Sequence, residues 1–434
     1  MLNKVAALIT QIFSTKIAID LVFSFLSFGV LALSGVLINI VVALTHGAEV
    51  LGAFNIVYAF YIVISQFSSL GVHLSTLRHA SIFSKRKLTL TKIFWNAIII
   101  SLVGGIVCTT FIYATLHLFE LLFTSELVSK GINIALLGLL LFPATKVIIF
   151  FLNGIRQIKF FSICQSLRYI TVAGVVVFVS LSNNPFHFAF FCFFAAEILV
   201  IILGISFLLI KKIIGTFAYS KAWFIRHLKF GLASLPTNIL SEINTRVDVL
   251  LIGLILGEKA TGVYSFTAMI FDGFFHLIVL IRINLNPILV KITNSLDFVK
   301  FHKTRDLIRL YIWPAFALLF ITLAIAYHIL VVDLHFFGSD FADGEIVLWI
   351  LLGGLTLLSP LVPFDQILLV SGHVKHQNIQ QFLVAGINVL VGVSLIGLIG
   401  ISGAALGTIL GHTAGLAYMA LKVRNIYGWN LAGL

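Results

Sequence analysis

The sequence predicts an all-α polytopic membrane protein of about twelve spans, and three observations predict it. Apolar runs of about twenty residues recur along the whole chain, the length at which a helix crosses a hydrocarbon core of roughly 30 Å. Hydrophobic residues make up 60% of the 434 residues and charged residues only 10%, against about a quarter charged in soluble domains. The basic residues, finally, keep to alternate loops.

The expected spans are 17–44, 50–71, 93–118, 133–153, 163–182, 187–210, 230–256, 263–290, 310–332, 346–370, 381–399 and 404–421. Of the 28 Lys and Arg, Lys130 and Lys259 lie in one set of alternate loops, and Lys146, Arg168, Arg246 and Arg282 fall inside spans. The other 22 share the opposite side. By the positive-inside rule that side is cytoplasmic and holds both termini. The acids Glu49, Glu120, Glu126, Glu258, Asp333, Asp340, Asp343 and Glu345 face outward. The formal charge of +12 therefore records orientation and contact with the anionic lipids of the inner leaflet; no nucleic-acid partner is indicated.

In chain order, residues 1–16 place Lys4 and Lys16 around VAALITQIF, the pattern of a short amphipathic interfacial segment, with no cleavage signal after it. Spans one to six form an N-terminal lobe over 17–212, followed by a cytoplasmic linker over 213–229. Spans seven to twelve form a C-terminal lobe over 230–421, and 422–434 is a cytoplasmic tail. The halves repeat. HGAEVLGAF carries Gly47, Gly52 and Phe54, and GEKATGVYS carries Gly257, Gly262 and Tyr264, 210 residues later. Pro143, Gly154 and Arg156 recur in order as Pro360, Gly372 and Lys375. Six spans return the chain to its starting side, so the repeat is parallel, about an axis along the membrane normal. The basic loops IFSKRKLTLTK, TFAYSKAWFIRHLK and LDFVKFHKTRDLIRLYI alternate apolar and cationic residues, as in-plane helices do. Cys108, Cys164 and Cys192 have no metal-ligand spacing and read as small hydrophobes.

Span seven holds the densest polarity, with Pro236, Asn238, Glu242, Asn244, Arg246 and Asp248. A charge at the centre of a membrane helix costs roughly 2.5–3.5 kcal/mol on insertion scales. Asn238, Glu242 and Arg246 recur every four residues and so lie along one helix face, a polar stripe facing water or protein. Glu197 stands in FFAAEILV with no charged partner within a turn, a carboxyl suited to proton coupling. Asp248 and Asp272 are candidates for pairing with cations of other helices or for Na⁺ binding. Lys146 and Arg282 lie about 10–12 Å inside the cytoplasmic ends of spans four and eight, where they line an inward cavity or snorkel. Asp20, Arg168 and Asp365 are read as interfacial. No catalytic constellation, metal motif or phosphate-binding loop is present. No enzyme is therefore expected and no cofactor, and any energy comes from an H⁺ or Na⁺ gradient or from the substrate's own gradient.

Spans seven and eight carry Pro236, Asp248, Ile252, Gly253, Gly257, Gly262, Tyr264, Ser265 and Pro287 in order. The first half carries Gly47, Gly52, Gly71 and LRHA at 77–80, and FFGSDFADGEIVLWILLGG, Gly372 and GISGAALGTILGH follow toward the C-terminus. In these residues the sequence resembles the oligosaccharide flippases of Wzx type, in the MOP superfamily that also holds the MATE drug exporters and the lipid II flippases. The resemblance implies two six-helix lobes around a central cavity in a bacterial inner membrane protein. It implies movement of an undecaprenyl-diphosphate-linked oligosaccharide to the outer leaflet by alternating access, by a monomer that works beside a polysaccharide polymerase. Arg246, Arg282 and Lys146 then contact diphosphate or sugar acids, with Glu242 and Asn238 beside them, while Glu197, Asp248 and Asp272 couple ions. The alternative is a MATE-like exporter of drugs or organic cations. A membrane polymerase or glycosyltransferase needs a larger extramembrane domain than these loops provide.

Overall fold

The computed structural model describes residues 16–115 and 125–431. Residues 1–15, where the amphipathic segment was expected, lie outside this range, as does Glu120. The described residues contain no strand. In order the helices are α1 (Lys16–Ser69), α2 (Val72–Ile82), α3 (Lys87–Ala114), α4 (Glu126–Gly154), α5 (Ile158–Ser180), α6 (Phe191–Ile210) and α7 (Lys221–Ile243). They continue with α8 (Val247–Ile255), α9 (Glu258–Ser295), α10 (Phe298–Tyr327), α11 (Gly344–Leu358), α12 (Ile367–Val370), α13 (Val374–Ile399) and α14 (Ile401–Tyr427).

Ten helices among the described residues are long and apolar enough to cross a membrane. They account for eleven of the twelve expected spans, because α1 carries spans one and two in a single 54-residue run bent at Gly47. Gly47, at φ 76° and ψ −171°, leaves the helical region in a conformation open to glycine. Gly257, at φ 83° and ψ −171°, repeats it before α9, so the duplicated motif is a duplicated turn.

The remaining one, span seven, corrects an expectation. Residues 230–256 do not form one helix: α7 stops at Ile243 and α8 starts at Val247, with Arg246 at φ −136° between them. The stripe of Asn238, Glu242 and Arg246 is thereby broken, and only the first two share a helix. Span ten is interrupted as well. α11 ends at Leu358, and the chain passes Pro360 and Pro363 in short turns before α12. A proline ring cannot donate to the helical ladder and clashes with the preceding turn. None of the three basic segments is a separate in-plane helix either, since α3, α7 and α10 begin in them and run on.

The described chain forms two compact units. The first takes the chain up to Val42 together with Phe60–Ile239; the second takes Ala43–Ala59 and the chain from Leu240 onward. In the first, α4 lies between α3, α6 and α2. Phe94, Ile148, Phe151, Cys164, Val200 and Leu208 close its core. The linker after α6 is pinned to α3. Thr91 Oγ1 accepts from the Gly215 amide (2.8 Å), Trp95 Nε1 donates to the Gly215 carbonyl (3.2 Å), and Asn96 binds Ala218 and Ser220 (3.2 and 3.1 Å). This fixes where α7 starts. In the second unit α13 and α14 form a close hairpin, with Gly403, Gly407, Gly411 and Gly415 repeating along the α14 face that meets α13. Small residues at that spacing let membrane helices approach backbone to backbone.

Candidate functional site

Among the described residues, four polar clusters hold the candidate site residues, two in each unit. In the first unit Gln66, from the run SQFSS in α1, is 1% exposed. Its Oε1 accepts from Lys146 Nζ on α4 at 2.5 Å and from Asn238 Nδ2 on α7 at 2.8 Å. Its amide nitrogen donates to the Ile62 carbonyl at 3.0 Å. His73 on α2 stands beside Lys146 and Asn238, its ring edge-on to Phe150 at 4.6 Å. α7 reaches this cluster through two glycines. A Cβ on Gly231 would lie 2.3 Å from the Leu70 carbonyl, and one on Gly71 would lie 2.4 Å from the Gly231 carbonyl. Two turns further along α7, Asn238 is in range of Gln66.

The second cluster corrects the reading of Glu197 as a lone carboxyl and of Arg168 as interfacial. Arg168 on α5 donates to Glu197 Oε1 from Nε at 3.0 Å and from Nη2 at 2.7 Å, and Tyr61 donates from its hydroxyl at 3.0 Å. The side chains are 13% and 1% exposed, and Glu197 Oε2 has no partner. The Arg168 guanidinium lies 4.8 Å over Phe142, which also stacks edge-on with Tyr61 at 5.5 Å. A carboxylate is tolerated there because three donors converge on one oxygen.

In the second unit Arg282 on α9 binds Asp365 at 2.5 Å, each side chain 16% exposed. The interruption after α11 turns Asp365 toward α9, so the interfacial reading of this residue is corrected too. One turn on, Asn286 donates to Gln366 at 2.9 Å. The Nε of Arg282 and one oxygen of Asp365 remain unpartnered.

Arg246 occupies the break between α7 and α8, its guanidinium 5.0 Å over the Tyr58 ring and its Nε without a partner. Asp272, Asp248 and Glu242 are its acidic neighbours. Asp248 accepts from the Tyr264 hydroxyl at 2.6 Å and from the Val249 amide at 2.9 Å, while Asp272 on α9 is exposed. Every predicted site residue is therefore placed. Lys146 meets Asn238 through Gln66, Arg246 stands among Glu242, Asp248 and Asp272, and Arg282 and Glu197 each belong to a separate ion pair.

Gln66 and Tyr61 are residues that sequence reasoning left out, and Arg168, Asp365 and Tyr264 are ones it named without a place in these clusters. For Gln66 the polar run SQFSS inside an apolar span was the available signal. Among the described residues no three His, Cys, Asp or Glu come together as metal ligands.

Residues 20–293 match the family model described as polysaccharide biosynthesis protein. Comparison of the sequence with curated proteins gives no match. Among solved structures, the lipid II flippase MurJ in an inward closed conformation is similar at TM-score 0.72 and 18% identity, over 94% of this chain and 87% of that one. An inward-facing multidrug resistance MATE family transporter of the MOP superfamily gives 0.68 and 16%, over 92% and 94%. A MOP superfamily transporter from Pyrococcus furiosus, described by the reverse polarity of its binding pocket, gives 0.57 and 16%, over 94% of each chain. With more than half of its length matched by that model, the chain belongs to the polysaccharide biosynthesis protein family, and it shares its fold with these transporters.

Proposed function

We propose that the protein is a flippase that carries a polyprenyl-diphosphate-linked oligosaccharide across the bacterial inner membrane, from the leaflet beside its basic loops to the opposite one, by alternating access. One observation carries the reading. A member of a polysaccharide biosynthesis family holds, inside its spans, two guanidinium groups with Nε–H donors that no protein acceptor uses, at Arg246 and Arg282. A diphosphate and sugar hydroxyls each cost several kcal/mol to strip of water, so the cargo's head needs donors inside the membrane while its tail stays in lipid. Guanidinium meets phosphate oxygens in a forked geometry. Arg246 stands at a helix break, where turn backbone adds polar groups of its own. Lys146, already held by Gln66, with Asn238, and Glu242 beside Arg246 are further candidates for substrate contact, each within its own unit.

An H⁺ or Na⁺ gradient supplies the energy, with Asp272 and Asp248 as the coupling acids. Glu197, fixed by Arg168 and Tyr61, serves to hold α1, α5 and α6 together. The protein acts as a monomer and hands its cargo to a polymerase. The second reading, an exporter of organic cations, draws on the acids around Arg246 and on the likeness to MATE transporters. Leaflet accounting separates the two. On deletion of the protein, complete lipid-diphosphate-linked repeat units accumulate facing the cytoplasm. Absence of that accumulation, with new sensitivity to cationic dyes, refutes the flippase and favours the exporter.

A further inference from the structure

A groove of about 590 Å³ lies between α2 and the first turns of α7, away from the clusters described above. Arg78, Arg226 and Lys229 line it together with His79, Ile225 and Phe230. Arg226 and Lys229 are three residues apart and so share one face of α7. All three cations are exposed, and none has a carboxylate partner among the described residues. The sequence explains why: no Asp or Glu occurs between Glu49 and Glu120, nor between Glu197 and Glu242. The groove is built wholly from these two acid-free stretches.

Both guanidiniums are held by their faces, Arg78 at 5.3 Å from the Phe230 ring and Arg226 at 4.6 Å from the Trp223 ring. Stacking in this way leaves the N–H edge free to donate. The floor is neutral. His79 donates from Nδ1 to the Ser75 carbonyl at 2.8 Å, and burial, with Arg226 and Arg78 nearby, lowers its pKa. His227, bonded to Ser75 Oγ at 2.9 Å, is pushed by burial down to about 3. Three like charges thus confront one another around a recess with no internal counter-charge, beside the exposed apolar side chain of Ile225.

We propose that this groove is a binding site for a lipid phosphate at the basic face of the membrane: the phosphoryl group sits among Arg78, Arg226 and Lys229, and the chain leaves along Ile225 and Phe230. The chemistry is shared by an anionic phospholipid and by a polyprenyl diphosphate, and the test distinguishes them. The inference does not depend on what the protein transports.

The test is native mass spectrometry of lipid retained after release from phosphatidylcholine nanodiscs doped with phosphatidylglycerol or with sugar-free polyprenyl diphosphate. Each basic group near an anionic head is worth roughly fivefold in affinity, so R78Q/R226Q/K229Q should lose on the order of 100-fold. A second triple variant, K291Q/K300Q/K303Q, removes the same charge elsewhere and should retain lipid as the wild type does. Loss confined to the first variant with phosphatidylglycerol assigns a phospholipid site; loss confined to it with polyprenyl diphosphate assigns a site for the lipid carrier, and with both a general lipid-phosphate site. Equal retention by the wild type and the first variant, or equal loss in both variants, overturns the proposal.

Discussion

Replacing Arg168 by Met removes two of the three donors to Glu197 Oε1 and leaves a carboxyl that is 1% exposed with Tyr61 alone. Breaking a buried pair in this way costs about 3–5 kcal/mol, because the stranded charge, more than the lost attraction, sets the penalty. For a unit of this size about 1 kcal/mol moves the melting point by roughly 2–4 °C, so Arg168→Met should melt on the order of 10 °C lower in detergent micelles, followed by intrinsic tryptophan fluorescence. Tyr61→Phe removes a single bond to a charged group and should cost about 1.5–3 kcal/mol. The double variant Arg168→Met/Glu197→Leu removes both charges and should recover most of the loss. A single Arg168→Met variant that melts within about 2 °C of the wild type would refute the reasoning, as would a double variant no more stable than the single.

Arg246→Ala should insert and fold but lose about 10- to 100-fold in transport, the worth of charge-assisted bonds to phosphate; full transport by the folded variant would reduce Arg246 to a structural contact with Tyr58. Gly262→Ala places a Cβ 1.8 Å from the Ala48 carbonyl, so its yield of folded protein should collapse, at a cost of about 3 kcal/mol or more. Gly273→Ala, with nothing within 4 Å, should fold normally, and equal behaviour of the two would discount the close approach. For His227, whose pKa falls from 6.5 to about 3 on burial, the unfolded chain binds a proton between those values that the folded chain does not. Its contribution is therefore complete above pH 6.5 and is lost as the pH drops, by up to about 1.4 kcal/mol per unit. The melting point of His227→Gln should fall less steeply than that of the wild type between pH 6.5 and 5; parallel slopes would exclude His227 as the cause.

The spans were legible because a run of twenty apolar residues admits few other solutions in water or lipid. The turn at Gly257 was legible through its copy at Gly47. The break at 244–246 was not, since four-residue spacing in the sequence presumes the helix on which it is counted, and Asn244, Thr245 and Arg246 leave that helix. Partners across helices were equally hidden. Arg168 and Glu197 are 29 residues apart, and Arg282 and Asp365 are 83 apart; nothing in either local stretch records the other. Charged residues drew attention one at a time, whereas the group that joins three helices is a neutral amide, Gln66.

The close contact at Gly52 and Gly262 is reciprocal. A Cβ on Gly52 would strike the Glu258 carbonyl at 1.8 Å, and a Cβ on Gly262 would strike the Ala48 carbonyl at 1.8 Å. Under the 210-residue repeat Ala48 corresponds to Glu258 and Gly52 to Gly262, so each turn does to the other what the other does to it. Such reciprocity is the signature of an isologous interface, where one patch recognises its own copy. The contact inside this protein has the symmetry of a dimer interface, with both of its patches supplied by one polypeptide.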